Sequence, residues 1–323
     1  MLSVYVPRGT SLERIAIEPG GTPPAAAVWI DLVAPTVQED NLVEQFLGIA
    51  VPTREEMQEI EVSSRLYVEN GARYMTATLM CQSDTAPKTT AVTFILSGHR
   101  LATVRYDEPR PFAIIGQKLA RACSPKVSGE AVLMDLLDAV IDRSADILER
   151  IGAEVDQISH TIFEPDDEMA PPAYNDVLKA LGRKGDLTSK VRESQVSVGR
   201  LLSFLAHEAE SLKWGKGVRA QITSMQRDVI SLTDHASYLS NKITFLLDAM
   251  LGVVNIQQNA IIKIFSIAAV VFMPPTLVAS IYGMNFRTGM IELDWVYGYP
   301  YALILIVLAA VLPIVFFKWK KWL

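Results

Sequence analysis

Residues 255–286 read NIQQNAIIKIFSIAAVVFMPPTLVASIYGMNF. From Ile264 to Ile281 it contains 18 consecutive residues without a charge. A helix of that length measures about 27 Å at 1.5 Å per residue, close to the thickness of the hydrocarbon layer of a membrane. The stretch therefore predicts a membrane-spanning helix.

A second segment of the same kind follows closely. Pro300 to Phe317 is again 18 residues without a charge. From residue 264 to residue 317 the charged residues are Arg287, Glu292 and Asp294. A buried helical hairpin in a soluble core is the alternative, but two adjacent charge-free segments of this length are rare in water-soluble folds. We predict two spans, at about 264–283 and 300–317.

Basic residues orient the two predicted spans. Lys263 precedes the first span, and three lysines follow the second in a basic C-terminal tail, Lys318, Lys320 and Lys321. The loop between the spans carries Arg287 against Glu292 and Asp294. The excess of Lys and Arg on the cytoplasmic side places both termini in the cytoplasm of a multi-pass inner-membrane protein. The N-terminal residues contain no basic region followed by an apolar core, so no secretory signal is predicted.

Charge and composition narrow the function classes. The chain carries −6 overall, and residues 1–263 carry −8, because later residues contribute four positive and two negative charges. An acidic cytoplasmic part excludes nucleic acid as a partner and favours cations. Cys81 and Cys123 form no metal motif. The four histidines are scattered and no phosphate loop is present, so the sequence does not indicate an enzyme.

Residues 1–125 predict a cytoplasmic domain that mixes strands and helices. Short runs rich in Val, Ile, Thr and Tyr alternate with polar breaks, and the break at residues 98–100 predicts a hairpin. Residues 36–49 and 53–64 predict helices, the first opened by a capping box from Thr36 to Glu39.

Residues 126–263 predict a helical stalk. A first helix from about Gly129 to Asp166 carries an acidic face, interpreted as a solvated surface or as a low-affinity site for divalent cations; its residues are Asp135, Asp138, Asp142, Asp146 and Glu149. A second helix runs to about Leu212. From Val218 a third pattern continues to Met273 without proline, so the last stalk helix and the first span are predicted to form one helix of about 60 residues. The transmembrane domain then comprises residues 264–323.

Two faces are predicted on this third helix. A coiled-coil seam buries one side through large apolar residues at steps of 4 and 3, namely Leu239, Ile243, Leu246, Met250 and Val253. A polar stripe of mostly small or polar residues has the same spacing, and consists of Asp248, Gly252, Asn255, Asn259, Ile262, Ser266, Ala269, Met273, Thr276, Ser280 and Gly283.

The polar stripe has two interpretations. Small residues on a span commonly allow close helix packing. Alternatively, the stripe lines a pore built by several copies of the chain, which would explain why Asn255 and Asn259 continue it beyond the span. Met273 and the neighbouring Phe265 would then form apolar rings at which the pore closes by expelling water. Two prolines in mid-span, Pro274 and Pro275, remove two backbone donors, and they predict either a simple kink or a functional break.

The end of the first span, Tyr282-Gly283-Met284-Asn285, completes a pattern that resembles the CorA family of magnesium transporters. The resemblance extends over the whole chain, from VWIDLVAP at residues 28–35 to the basic tail. It implies a funnel-shaped homopentamer with two spans per subunit and a pore lined by the first span. It also implies that Gly283, Met284 and Asn285 are the selectivity filter.

The same resemblance assigns further residues. The pore-lining positions that it implies are Asn259, Ile262, Phe265 and Met273. Ser266, Thr276 and Ser280 are predicted to line the pore from their place on the polar stripe. Asp248 matches an acidic position linked to regulatory Mg²⁺. Glu292 matches an outer-loop carboxylate, but it lies seven residues beyond Asn285 where the family usually has six, and Ile291 replaces the usual proline. Mg²⁺ holds its water tightly, so neutral oxygens such as that of Asn285 suit the hydrated ion.

The sequence therefore predicts a passive channel for hydrated Mg²⁺, set in membrane lipid and gated by internal Mg²⁺. The same architecture carrying Co²⁺, Ni²⁺ or Zn²⁺ is the close alternative, although the polar stripe contains no His or Cys for a soft-metal site. A membrane-anchored coiled-coil scaffold is the alternative from another class. The Asn, Ser and Thr residues along the span count against it.

Overall fold

A computed structural model of the chain describes residues 1–18, 21–84, 86–121, 127–163, 174–284 and 295–320. The chain forms two compact units, Met1–Leu247 and Asp248–Leu323. The first unit contains a sheet covered by helices. The second contains the end of one long helix and a shorter C-terminal helix.

The first unit is built on a sheet of seven strands in the order β2-β1-β3-β7-β6-β5-β4. All neighbours are antiparallel except β3 and β7, which are parallel. The strands are β1 Leu2–Arg8, β2 Ser11–Ala16, β3 Trp29–Val33, β4 Leu66–Glu69, β5 Ala72–Cys81, β6 Lys88–Ser97 and β7 Arg100–Arg105. The predicted hairpin at residues 98–100 is confirmed as the β6–β7 turn, where Gly98 has a φ of 58° that suits glycine.

Among the described residues of the first unit, the first five helices lie between or after these strands. They are α1 Val37–Leu47, α2 Arg54–Met57, α3 Val62–Arg65, α4 Arg110–Arg121 and α5 Gly129–Phe163. The capping box of α1 is confirmed, with Thr36 accepting from the Glu39 amide and Glu39 accepting from the Thr36 amide. The single helix predicted at residues 53–64 is wrong. The chain forms two short helices there, and a second capping box from Thr53 to Glu56 opens the first of them.

Three long helices follow one another. After α5 come α6, Tyr174–Ser211, and α7, Lys216–Tyr282, which contains 67 residues. The prediction that one helix continues from the stalk into the first span is therefore confirmed. Helix α8, Gly298–Trp319, is the second apolar helix. The coiled-coil seam is buried from Leu239 to Met250, and Val253 at its end is half-buried.

Two apolar cores cover the faces of the sheet. One face packs under α4, α5 and α6, with Trp29, Phe94 and Phe112 at its centre. The other face is covered through Val43 of α1 and Met57 of α2. Large buried side chains on both faces are typical of a sheet that helices or loops cover on each side.

A buried polar network joins the two parallel strands. Arg105 of β7 donates from Nε and Nη2 to the two carboxylate oxygens of Asp31 on β3, at 3.0 and 2.8 Å. Thr103 donates to Asp31 at 2.8 Å and accepts from the indole of Trp29 at 3.0 Å. The side chains of Arg105 and Asp31 are almost fully buried, so the charge of each one must be compensated by the other.

The second unit has the properties of a membrane hairpin. Both of its helices contain a segment long and apolar enough to span a membrane. At the start of α8, Trp295 lies edge-on to Tyr297 and Tyr301, with ring centroids 5.8 and 6.3 Å apart. Tryptophan and tyrosine favour the membrane interface because one end of the ring is apolar and the other polar.

The buried pair at the centre of the sheet yields a stability prediction. We expect Arg105→Met to lower the free energy of unfolding of the first unit by about 3 to 5 kcal/mol, because it leaves the Asp31 carboxylate buried without a partner. The matched control is Arg8→Met, which removes an exposed pair with Glu13 in the same sheet and should cost less than about 1 kcal/mol.

Hydrogen exchange of β3 and β7 peptides in a urea series, read by mass spectrometry on the full chain, measures both free energies. If the two variants lose equal stability, the buried pair does not hold the parallel strands together.

Candidate functional site

The C-terminal third of α7 has one covered face. Half-buried residues recur along it at Ile267, Ala268, Val271, Pro274, Pro275, Val278 and Tyr282. Helix α8 has a matching half-buried face rich in small residues, Ala302, Leu305, Ile306, Ala309, Ala310 and Pro313. Because these faces are the half-buried ones within the second unit, they are the surfaces on which its two helices face each other.

The polar stripe lies on the opposite side of α7. At about 100° of rotation per residue, its centre is about 170° around the helix from the half-buried face. Its residues from Asp248 to Gly283 are all exposed in the single chain. The small residues of the polar stripe therefore do not serve packing against α8. Among the described residues, none covers this stripe.

Hydroxyl and amide groups supply the polar surface of the stripe within the span. The Thr276 hydroxyl donates to the Phe272 carbonyl oxygen at 2.7 Å, one turn earlier. Because the only hydrogen of this hydroxyl is used in that bond, its oxygen presents acceptor lone pairs to the outside. Such an oxygen can accept hydrogen bonds from water bound to a cation.

Large apolar side chains interrupt the polar stripe at two levels. Ile262 and the neighbouring Phe265 are 61% and 72% exposed, and Met273 is 67% exposed. Exposed side chains of this size on a helix pack against other subunits, face lipid or narrow a channel. Rings of such residues can close a channel by excluding water.

The two prolines do not end the helix. Helix α7 continues through Pro274 and Pro275 to Tyr282. Proline lacks an amide hydrogen, so the carbonyls of Val270 and Val271 have no helical donor four residues later. Both prolines are half-buried on the covered face.

The helix ends at the predicted filter motif. The amide of Gly283 donates to the Ala279 carbonyl at 2.9 Å, and the amide of Met284 donates to that of Ile281 at 3.3 Å. Gly283 does not adopt a left-handed conformation; a side chain there would instead place its Cβ 3.0 Å from the Ala279 oxygen. A side chain at this position would be a tight contact that requires a small shift of the last turn, so glycine is favoured there. Asn285 and Glu292 lie outside the described residues.

Asp248 is exposed at the start of the second unit. Within the described ranges, no group of three or more His, Cys, Asp or Glu side chains could hold a metal ion. The acidic face of α5 is mostly exposed, as predicted, and Asp135 pairs with Lys118 at 3.1 Å. Burial raises the pKa of Asp138, and repulsion from Asp142 and Asp135 raises it further. A single chain therefore offers isolated carboxylates and no described metal site.

Comparison with known proteins gives consistent results. The profile of the family described as CorA-like Mg²⁺ transporter protein matches residues 24–321. The magnesium transport protein CorA of Escherichia coli K12 is 38% identical over 329 residues, covering 100% of both chains. That of Pectobacterium atrosepticum is 34% identical over 326 residues, again covering 100% of both chains.

Solved structures share the fold. The complete CorA magnesium transporter from Methanocaldococcus jannaschii superposes with a TM-score of 0.76 at 16% identity, covering 100% of this chain and 99% of that one. The full-length CmaX protein gives 0.72 at 15% identity, covering 99% and 97%. These similarities extend through both units of the chain.

The exposed side of α7 yields a labelling prediction. Phe272 and Met273 are neighbours with similar exposure, 70% and 67%, but they point about 100° apart. Only Met273 lies on the polar stripe. If the stripe faces water, a cysteine at position 273 in a background without Cys81 and Cys123 should react with a charged thiol reagent about ten times faster than one at 272, because the thiolate is the reactive form.

A cysteine that replaces Asn259, Ser266 or Ser280 should react about as fast as one at position 273. A cysteine that replaces Ile267 should react about as slowly as one at position 272. The measurement is the labelling rate of each variant in liposomes without Mg²⁺ on the cytoplasmic side, the condition expected to favour the open state. Equal rates at positions 272 and 273 would remove the polar stripe from any aqueous path.

Proposed function

The chain belongs to the CorA-like Mg²⁺ transporter family, and on that premise we propose that it conducts Mg²⁺ passively into the cell along the polar stripe of α7. The observation that carries this proposal is the position of the stripe. Its oxygen-bearing residues lie on the side of the span that α8 leaves uncovered. The identity of 38% to a magnesium transport protein over the full chain supports Mg²⁺ as the ion.

Several copies of the chain are needed to enclose this path. One exposed face of one helix cannot surround an ion, and a ring of identical helices is the simplest closed arrangement. A funnel-shaped homopentamer is the assembly that the family resemblance implies. Five polar stripes would then line one axis, with the α8 helices on the outside toward membrane lipid.

The filter is assigned to Gly283, Met284 and Asn285. Mg²⁺ loses its water reluctantly, so an amide oxygen that accepts hydrogen bonds from the bound water can select the ion without stripping it. Gly283 supports this role because a side chain there would crowd the Ala279 carbonyl oxygen in the last turn of α7. Co²⁺ and Ni²⁺ hydrates could use the same oxygens, whereas the lack of His or Cys on the polar stripe disfavours a soft-metal site.

Closure of the pore is assigned to its apolar levels. Five copies each of Ile262, Phe265 and Met273 would form apolar rings, and a ring that expels water blocks a hydrated ion. Asn259, Ser266, Thr276 and Ser280 would line the wetted parts between and beyond these rings. Glu292, in the outer loop, would attract cations toward the mouth.

Internal Mg²⁺ is proposed to control this closure. Residues 1–263 carry −8, so neighbouring subunits repel one another when no cation lies between them. Mg²⁺ bound at carboxylates such as Asp248 would offset this repulsion in the closed state. The exposed, isolated position of Asp248 suits a site completed by a second subunit.

The lysines flanking the spans favour an inner-membrane protein with both termini in the cytoplasm. A coiled-coil scaffold is not favoured, because an anchor does not require a polar stripe within its span. The family is one of transporters, and we propose no enzymatic activity.

Loss of the filter amide should stop transport. In liposomes containing only the purified chain, we expect Asn285→Ala to reduce Mg²⁺ uptake by about tenfold or more, because each lost hydrogen bond to the hydrated ion contributes about 1 kcal/mol. Asn41→Ala, on an exposed position of α1, is the control and should transport normally. Competition by Co²⁺, Ni²⁺, Zn²⁺ and Ca²⁺ measures selectivity. Normal uptake by an assembled Asn285→Ala protein would exclude Asn285 from the filter.

Loss of the regulatory carboxylate should weaken inhibition by internal Mg²⁺. Asp248→Lys places a fixed cation where Mg²⁺ is proposed to bind, so the closed state no longer needs the ion. We expect the concentration dependence of the current on internal Mg²⁺ to flatten in planar bilayers. Glu210→Lys changes the charge equally at an exposed position of α6 and should retain the parent response. Identical responses of both variants would place regulation elsewhere.

A further inference from the structure

The first unit contains a cleft lined by positive charge. Two cavities, of about 400 and 540 Å³, share the lining residues Gln58, Arg65, Thr78 and Glu193. Their other charged lining residues are Arg54, Lys88, Asp107, Arg192 and Arg200. Five cationic side chains thus face two carboxylates, in a unit whose overall charge is strongly negative. We refer to these joined cavities as the arginine cleft.

The positive charge of the arginine cleft is not neutralised within the described part of the chain. Lys88 pairs with Asp107 at 2.6 Å, which accounts for one cation and one anion. The four guanidinium groups that remain form no ion pair among the described residues. They face a single further carboxylate, that of Glu193. An electrostatic surplus of this kind in a concave site attracts an anion.

Arg65 lies where the two cavities meet and has unused donor capacity. Its Nη1 donates to the Thr78 hydroxyl at 3.2 Å, and its Nη2 lies 3.4 Å from the Met57 carbonyl oxygen. Its Nε is buried without a hydrogen-bond partner. Burial lowers the pKa of this guanidinium, so it is held in a poorly solvated position that an anion would stabilise.

The donors around Arg65 suit a phosphoryl group. Thr78, Thr89, Thr90 and Tyr106, which carry hydroxyl groups, line the smaller cavity together with the basic residues. The Cζ atom of Arg54 lies 5.1 Å from the centroid of the Tyr106 ring. This stacking leaves the N–H groups at the edge of the guanidinium available to bind an anion. Arginine forks bind phosphate oxygens through paired hydrogen bonds, and a volume of several hundred Å³ is typical of a small-molecule site.

We propose that the arginine cleft binds a small anion with two or more phosphoryl groups, such as pyrophosphate or the polyphosphate chain of a nucleotide. Arg65 and Arg54 would hold one phosphoryl group in the smaller cavity, beside the threonine hydroxyls. Arg192 and Arg200 would meet the next group in the larger cavity. This site is separate from the polar stripe and does not depend on the transport activity.

Binding of pyrophosphate to the purified full-length chain, measured by isothermal titration calorimetry in the presence of EDTA, tests this site. Arg192→Gln removes one cation from the cleft and should weaken binding about threefold to tenfold. Arg183→Gln removes one exposed cation from the same helix outside the cleft and should leave the affinity unchanged. Added salt should weaken binding in the parent chain.

A substitution that removes a negative charge from the cleft distinguishes an effect on binding from an effect on folding. Glu193→Gln removes the carboxylate that faces the four guanidinium groups and should tighten binding, an effect that damage to the fold cannot produce. Arg65→Lys keeps the charge but loses the fork, so it should weaken binding although the net charge is constant. No measurable heat with millimolar pyrophosphate, or equal affinities for Arg192→Gln and Arg183→Gln, contradicts the proposal.

Two further anions, citrate and ATP, test which class of ligand the cleft binds. Citrate carries a similar charge without phosphoryl groups, and equal binding of citrate and pyrophosphate would refute the phosphoryl assignment. If ATP binds as tightly as pyrophosphate, the cleft recognises only the phosphate chain. ATP that binds more tightly identifies a nucleotide as the occupant, with contacts to the rest of the molecule.

Discussion

The structure depends on the need of the α7 backbone to satisfy its hydrogen bonds without water. In hydrocarbon an unpaired amide or carbonyl costs several kcal/mol, so the span must remain helical. A continuous helix fixes the direction of every side chain by its position in the sequence. The half-buried face toward α8 and the polar stripe are therefore held on opposite sides of one rigid element. Even Pro274 and Pro275 interrupt the hydrogen bonds without ending α7.

Much of the fold could be predicted because its strongest signals are local. The β6–β7 hairpin, the α1 capping box and the continuity of α7 each follow from spacing and residue type within a short window. Helix α4 was missed, although Phe112, Ile115 and Leu119 recur at helical spacing and are buried. The interruption between α2 and α3 was also missed, because acidic and apolar residues continue through it; Ile60 is 90% exposed there.

The polar stripe and the arginine cleft differ in how much of each site can be predicted from the sequence. The polar stripe lies on one helix, so a regular period of 3 and 4 predicts its common direction. What encloses the stripe is not specified by any pattern within one helix, and we proposed above that other copies of the chain do so. The arginine cleft combines Arg54, Arg65, Lys88 and Arg192, which are separated by up to 138 positions in the sequence. Only the packing of α6 beside β5 and β6 brings them together.

The placement of charge is consistent with passage of a tightly hydrated ion. Two unit charges 4 Å apart attract by about 4 kcal/mol at an effective dielectric constant of 20, and a divalent ion doubles this value. A carboxylate within the span would therefore hold Mg²⁺ too firmly for rapid release. From Ile264 to Tyr282 the chain has no charged residue and offers amide and hydroxyl oxygens instead. Its carboxylates at Asp248 and Glu292 lie before and after this segment, so the roles proposed for them in sensing and attracting the ion would not trap it in transit.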